Sequence, residues 1–324
     1  MDANRVQKEH QMKLSSPYLV GNDWYRGTLH VHTDNSPCGH YPVTTVRGLY
    51  ADQIMRYDFI AITDHLMVTP PPPSDDGFIV FSGEEFKRKH RQLLGIDIRS
   101  VPDDPDDLDN HQKIIDAVGE QEGLCIICHP HLYTDDYWPV EELLKLSGYC
   151  GIEIYNHNER MNNAGRAIAT DVWDTLLSSG KTVWGFAGDD MHHVSRLGGG
   201  FLMVQAEDRT KQALMQAIRT GSFYASTGAF FRRIEIVEHP SDGQALRLEL
   251  DAVSSKESEV LLIGDGGKLL GRQRGMKDMY IPLHDPGTRY PGIEGCTYLR
   301  LELHRPDGAC AWSQPFSIAR HSQG

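Results

Sequence analysis

No apolar run in these 324 residues approaches the ~20 that a bilayer-spanning helix requires, so no transmembrane helix is expected. Thiols are scarce. The six cysteines, Cys38, Cys125, Cys128, Cys150, Cys296 and Cys310, are irregularly spaced, which argues against a disulfide framework and for reduced thiols in a cytoplasm. Positive charge is also in deficit: 32 Lys+Arg against 45 Asp+Glu leave a formal charge of −13. Broad nucleic-acid binding and attachment to acidic membranes are therefore not expected. A small anionic substrate stays compatible, because a bound metal can reverse the local sign. The opening MDANRVQKEHQMKLSS holds no apolar stretch, so no secretory leader is expected and the expected location is cytoplasmic.

Apolar residues make up 40% of the chain and charged residues 24%, enough to build a core and to exclude disorder as a description of the whole. Histidine is abundant, at 16 residues, and eleven of them fall between His30 and His193 inclusive. Imidazole is the commonest protein metal ligand.

Residues 1–23 read as a lead-in. From 24 to 221, short apolar runs alternate with amphipathic segments. Thr28–Val31, Phe59–Thr63, Phe78–Ser82, Leu93–Ile96, Leu124–Cys128, Gly151–Tyr155 and Thr182–Ala187 have the length and composition of buried strands. Helical patterns lie at Val46–Met55, from an Asp109 or Asn110 cap through Val118, at Glu141–Leu146, at Ala164–Ser178 and at Lys211–Arg219. This alternation predicts an α/β domain of parallel strands, closed as a barrel or open as a sheet. From 222 to 324 the pattern is strands separated by Gly, Pro and Asp turns, with no long helical period. A separate, small all-β, sandwich-like domain is expected there. Pro70–Pro73 and the acidic stretch 101–109 read as surface loops.

Five clusters of ligand-type residues sit at or just past the ends of the expected strands. They are His30 and His32 in TLHVH, Asp64 and His65 in AITDH, Glu84 and Glu85 in FSGEEF, His129 and His131 in ICHPH, and Asp189, Asp190, His192 and His193 in AGDDMHH. Residues i and i+2 of a strand share a face, so His30 and His32 can enter one pocket. The C-terminal ends of parallel strands form the site-bearing face of α/β folds. Taken singly the clusters are weak: an HxH pair, a DH dipeptide or an HP turn is more often surface or capping chemistry. Converging from five strands, they predict a metal centre. Imidazole with carboxylate suits Zn, Mn or Fe without a thiolate cluster. More ligands than one tetrahedral ion accepts imply a multinuclear site.

The order His30-Val31-His32, Thr63-Asp64-His65, Gly83-Glu84-Glu85, His129-Pro130, Asp190-Met191-His192 resembles the polymerase-and-histidinol-phosphatase (PHP) superfamily of metal-dependent phosphoesterases. The resemblance covers residues 24–221. It implies a distorted (β/α)7 barrel with two or three divalent metal ions (Zn, Mn or Fe) on its C-terminal face, and phosphoester hydrolysis as the activity. It implies His30, His32, His65, Glu85, His129, Asp190 and His192 as metal ligands, with Glu85 bridging. Asp64 is then a group that orients a ligand. Two departures stand out. Where relatives carry an Asp soon after HxH, this chain has SPCGH, with Cys38 and His40 as the nearest donors. Where relatives place a His before an (I/L)LG strand, this chain has Gln92, with His90 two residues earlier as a further candidate ligand.

GSFYASTGAFF (221–231), ACAWSQPF (309–316), GIEIYNHN and VWDTLLSSG are similar to a two-domain PHP branch that includes carbaryl hydrolases. That makes a carboxyl ester or carbamate the alternative substrate. A non-catalytic, metal-stabilised binding protein is the third reading. For the hydrolase, a metal lowers the pKa of water from 15.7 to about 7, so that a hydroxide held near Glu85 attacks the ester. Glu85, Asp64, His131 and Arg196 are the candidate catalytic residues, with His131, Asp64 and His193 as candidate proton donors and Arg196 placed to meet an anion. The expected partner is a small-molecule ester, phosphorylated in the leading reading; self-association is compatible with the β-rich domain. Cys125-x-x-Cys128 is discounted as a redox pair because i and i+3 face opposite sides of a strand. His239, His284 and His304 read as surface or packing residues.

Overall fold

All but the first of the expected apolar runs fall in strands in a computed structural model that describes residues 11–88, 91–101, 110–239, 243–283, 290 and 292–321; the run Thr28–Val31 instead begins where a strand ends at Thr28, so His30 and His32 lie just past it. The acidic stretch from 102 to 109, His90 and His284 lie outside the described residues, as does the side chain of His239. The first ten strands are β1 (Gln11–Ser15), β2 (Asp23–Thr28), β3 (Phe59–Ile62), β4 (Ile79–Arg88), β5 (Arg91–Ile96), β6 (Leu124–Ile127), β7 (Gly151–Asn156), β8 (Trp184–Gly188), β9 (Phe201–Ala206) and β10 (Phe223–Ser226). The helices among them are α1 (Val43–Ala51), α2 (His111–Glu120), α3 (Val140–Lys145), α4 (His157–Asn162), α5 (Thr170–Ser178) and α6 (Lys211–Thr220).

Strands β2 to β8 are neighbours in chain order. The pairs β2–β3, β3–β4, β6–β7 and β7–β8 are parallel, as strand–helix alternation predicts. β5 departs from it: it runs antiparallel to both β4 and β6. The reason is length, because the β4–β5 connection is only residues 89–90 and a parallel return needs a dozen or more. Just past β2 and β8, Val31 and Met191 form a parallel bridge, and the His32 amide donates to the Met191 carbonyl at 3.0 Å. The C-terminal ends of β2 and β8 are thus tied together, drawing the strand ends around one centre. Beneath that centre Phe59, Phe81, Leu93, Ile126, Ile152 and Phe186 pack in one buried cluster.

The helices show why some expectations hold and others shift. Asn110 caps α2, its side chain accepting from the amides of Gln112 and Lys113, while Ile114, Ile115 and Val118 supply the buried face; such a cap is worth about 1 kcal/mol. The helix expected over Ala164–Ser178 begins only at Thr170. Residues before it are held in extended contacts, Leu132 with Gly165 and Tyr155 with Ile168. The six-residue α4 was not expected, being shorter than the window in which helical periodicity can be read.

Past α6 come β11 (Phe231–His239), β12 (Gly243–Leu250), β13 (Glu259–Gly264), β14 (Lys268–Arg274), β15 (Asp278–Pro282), β16 (Tyr298–His304), β17 (Cys310–Ser313) and β18 (Phe316–His321). β11, β12 and β15 form a small sheet of their own. The others join the large sheet, which runs from β2 through β9 and β10 into β17, β16 and β18, with β1 at its edge. Ile234, Leu246 and Leu248 of the small sheet share an apolar cluster with Val260, Leu262 and Leu301 of the large one. The molecule is therefore mixed α/β, with a large central sheet and a separate small sheet.

Candidate metal centre

The site is built from strand ends. β2 leads into His30 and His32, both fully buried. β3 leads into Asp64 and His65, and β4 carries Glu85 within its length. β6 leads into Cys128 and His129, β7 carries Glu153 and Asn156, and β8 leads into Asp189 and Asp190. Two of these residues take left-handed backbone angles: His129 has φ +31 and Asp190 has φ +47. For non-glycine residues that costs on the order of 1–3 kcal/mol each and recurs where side chains are aimed at a site.

The side chains converge on Glu85. Its Oε2 lies 3.2 Å from His30 Nε2, 3.1 Å from His32 Nε2 and 3.4 Å from His65 Nε2. Its Oε1 lies 2.9 Å from His129 Nε2. Asp190 Oδ1 lies 3.3 Å from His30 Nε2, 3.4 Å from His32 Nε2 and 3.2 Å from His192 Nδ1. Among the described residues three donor groups result, one ligand atom from each residue lying within 4.8 Å of the others: His30, His32, Glu85 and Asp190; Glu85, Cys128 and His129; and His32, Cys38, His65 and His192. Glu85 and His32 each belong to two groups.

A second layer fixes the rings. His30 Nδ1 bonds Glu153 Oε1 at 2.8 Å, His32 Nδ1 bonds Ser36 Oγ at 3.0 Å, and His65 Nδ1 bonds the Glu85 carbonyl at 3.1 Å. In this arrangement each Nδ1 donates, which leaves the Nε2 lone pair aimed inward, the pattern of metal-ligating histidines. Glu153 also accepts from the His129 amide at 2.9 Å. Asp64 accepts from the Thr33 amide and from the hydroxyls of Thr33, Ser36 and Thr69. Those hydrogen bonds outweigh burial and hold its carboxyl below its ordinary pKa. Asp64 is thus a hub that holds the loop carrying His32 and Ser36.

The donor set fits a cation. Nε2 of His30, Nε2 of His32 and Oδ1 of Asp190 are buried without a hydrogen-bond partner, although each lies within 3.4 Å of another polar atom. Lone pairs face lone pairs, an arrangement that costs free energy unless positive charge sits between them. The surrounding carboxylates demand the same charge. Burial alone would lower the pKa of His30, yet Asp190, Glu153 and Glu85 raise it well above its usual value. Glu85 is held well below the carboxylate range, its burial outweighed by His30, His129 and His32.

The remaining expected residues lie around this centre. His131 turns to other partners: its Nδ1 bonds the Asp135 carbonyl at 2.8 Å, and its Nε2 lies 3.0 Å from Asp171 and 2.7 Å from Arg166. Arg196 reaches Asn158 Oδ1 at 3.1 Å, and Asn158 in turn donates to Asp190 Oδ2 at 3.3 Å. It therefore meets the centre through one intervening amide. His193 is exposed and lies beside Ser195. His40 is exposed and stands edge-on to His193. Gln92 is buried and bonded by the Tyr137 hydroxyl at 3.2 Å. Lys87 lines a cavity of about 230 Å³ with Pro37, Cys38, His65 and Leu66.

Sequence reasoning missed Glu153, Ser36, Cys128 and Glu159. A single acid in the apolar run GIEIY is the one signal that could have found Glu153. Glu159, buried on α4, has an Oε1 without a hydrogen-bond partner, and burial pushes its pKa up to about 8.

No family model and no curated protein matches the sequence. Among solved structures, the chain is similar to a two-domain protein from Bacteroides vulgatus described as containing a predicted PHP-like metal-dependent phosphoesterase. That likeness has 15% identity and a TM-score of 0.47, covering 95% of this chain and 98% of the other. It is also similar to a lesion-specific endonuclease, PfuEndoQ, from Pyrococcus furiosus, at 14% identity and a TM-score of 0.41, covering 60% of this chain and 56% of that one. Likenesses of this strength leave the chemistry to the residues themselves.

Proposed function

We propose that the chain, which resembles the PHP superfamily in the order and spacing of its motifs, is a metal-dependent phosphoesterase with a multinuclear centre on a distorted (β/α)7 barrel. The observation that carries this reading is the sharing of Glu85 and His32 between adjacent donor groups. Shared donors are what closely spaced ions require. His30, His32, Glu85 and Asp190 would hold one ion, Glu85 and His129 a second, and His65 with His192 a third. Divalent ions there supply Lewis acidity and a water acidic enough to attack at neutral pH.

The chain's own residues do the rest. Glu153, Ser36 and the Glu85 carbonyl lock the tautomers of His30, His32 and His65, so those rings present lone pairs without reorganising. Asn156 and Asn158 donate to Asp190 Oδ2 and keep its Oδ1 turned inward. Lys87, beside His65 in its cavity, offers a cation to an anionic substrate group. That side chain favours a phosphate ester, which is already anionic when it binds, over the neutral carboxyl-ester or carbamate alternative.

The test is hydrolysis of p-nitrophenyl phosphate, bis-p-nitrophenyl phosphate and p-nitrophenyl acetate by protein reconstituted with Zn, Mn or Fe. His30→Ala and Asp190→Ala serve as controls. The expected result is phosphoester hydrolysis that both substitutions abolish, with Lys87→Ala raising KM for the phosphate esters. Cleavage of the acetate alone would move the assignment to carboxyl esters.

A further inference from the structure

The donor group around Glu85 and His129 contains a third atom that neither residue pattern nor spacing had placed there, the Sγ of Cys128. The thiol donates to Glu85 Oε1 at 3.7 Å, whereas the three imidazoles of His30, His32 and His65 stand nearest the other oxygen, Oε2. His129 Nε2 lies 2.9 Å from the same Oε1. The side chain of Cys128 has no exposure, and its direction follows from β6. Leu124–Ile127 forms the strand, Leu93 pairs with Ile127, and the Cys128 amide reaches the Gln92 carbonyl at 3.4 Å. One step past the strand, the alternation turns Cys128 to the Glu85 side.

We propose that Cys128 is a metal ligand of this chain, so that the ion held by Glu85 and His129 sits in a mixed nitrogen, oxygen and sulfur site. The proposal rests on the metal-dependent reading above and adds to it a chemical selectivity. Gln92, directly across from Cys128, turns its amide oxygen to the Tyr137 hydroxyl. The Cys128 thiol is directed at the same carboxylate that His129 meets, and Glu85, Cys128 and His129 form one donor group. Ligation exchanges the S–H bond for an S–metal bond and releases the proton to solvent. A thiolate in the set favours Zn or Fe at this position over Mn, which prefers oxygen donors.

Two measurements test it. The first is X-ray absorption at the zinc edge on zinc-loaded Cys38→Ser protein, which removes the exposed thiol of the neighbouring group and leaves Cys128 in its native fold. The expected result is a sulfur neighbour near ~2.3 Å in addition to nitrogen and oxygen at ~2.0–2.1 Å. The second is the near-ultraviolet thiolate-to-metal charge-transfer band of the cobalt-loaded protein, expected in the Cys38→Ser background and lost on adding Cys128→Ser. Bound metal with only nitrogen and oxygen neighbours, or a band that survives Cys128→Ser, overturns the thiol ligand and leaves the hydrolase reading standing. Protein that binds neither zinc nor cobalt overturns both.

Discussion

At the scale of single residues, the centre is held by partners as much as by ligands. Glu153 is the clearest case: it orients the His30 ring through Nδ1 and fixes the strained His129 backbone through its amide. Replacing it with glutamine removes the charge and one acceptor while keeping the volume. Losing such a partner costs typically 10–100-fold in metal affinity or activity. Glu153→Gln is expected to weaken metal binding by about that factor with an unchanged fold, read by competition against a chromophoric chelator. Unaltered affinity would remove Glu153 from the site. The ligand histidines and acids were legible in the sequence because their spacings are short and local. Glu153, Ser36 and Cys128 were not. Their role depends on which strand lies beside which, and on the turn that brings Ser36 back under His32.

At the scale of elements, the site depends on how closely β8 can approach β2 and β7. A Cβ on Gly188, the last residue of β8, would stand 2.7 Å from Glu153 Oε1 and 3.1 Å from His30 Cβ. Only the carboxylate can move away. Gly188→Ala is therefore expected to fold and to lose metal affinity by displacing Glu153 from His30. Wild-type affinity in that variant would show that the Glu153–His30 bond is dispensable. The three consecutive glycines ahead of β9, Gly198 to Gly200, are packed closely. The amides of Gly198 and Gly200 donate to buried Asp189 at 2.9 and 2.8 Å, and a Cβ on Gly199 would strike the His157 ring. Glycine composition alone does not separate a mobile loop from a close approach. The β4–β5 reversal was hidden for a similar reason, since the run LLGI has the composition of a parallel core strand and only its two-residue connection betrays its direction.

At the scale of the whole molecule, a buried ion pair ties α5 to β16. Arg300 donates to both oxygens of Asp174 at 2.7 Å, and the Tyr298 hydroxyl adds a third bond at 2.8 Å. Breaking such a pair strands a buried charge and costs about 3–5 kcal/mol. Asp174→Ala is expected to lower the thermal unfolding midpoint markedly, seen by calorimetry, while leaving the donor groups of the metal centre untouched. A midpoint within error of the wild type would contradict that role. Glu302 lies beside this pair. Burial opposes its ionisation, but His304 and Arg300 win and bring its pKa from 4.5 down to about 2. A depressed carboxylate adds stability above its unfolded value and loses it as pH falls through the folded one. Part of the acid lability should therefore fall between about 4.5 and 2 and diminish in Glu302→Gln. The switch from alternating to all-strand texture after Gly221 was visible in the sequence. The passage of the large sheet through β9 and β10 into β17 was not, because pairing between distant strands leaves no local pattern.

A multinuclear centre bridged by Glu85 has a direct readout in metal content. Chelator-stripped wild-type and Glu85→Gln proteins would be reconstituted with zinc, passed through a desalting column and measured for metal per chain. More than one ion per wild-type chain is expected, as is the loss of more than one ion's worth through the single Glu85→Gln substitution, since adjacent groups share that carboxylate. A wild-type chain that retains no metal, or a Glu85→Gln chain that retains all of it, would rule out a centre bridged by Glu85.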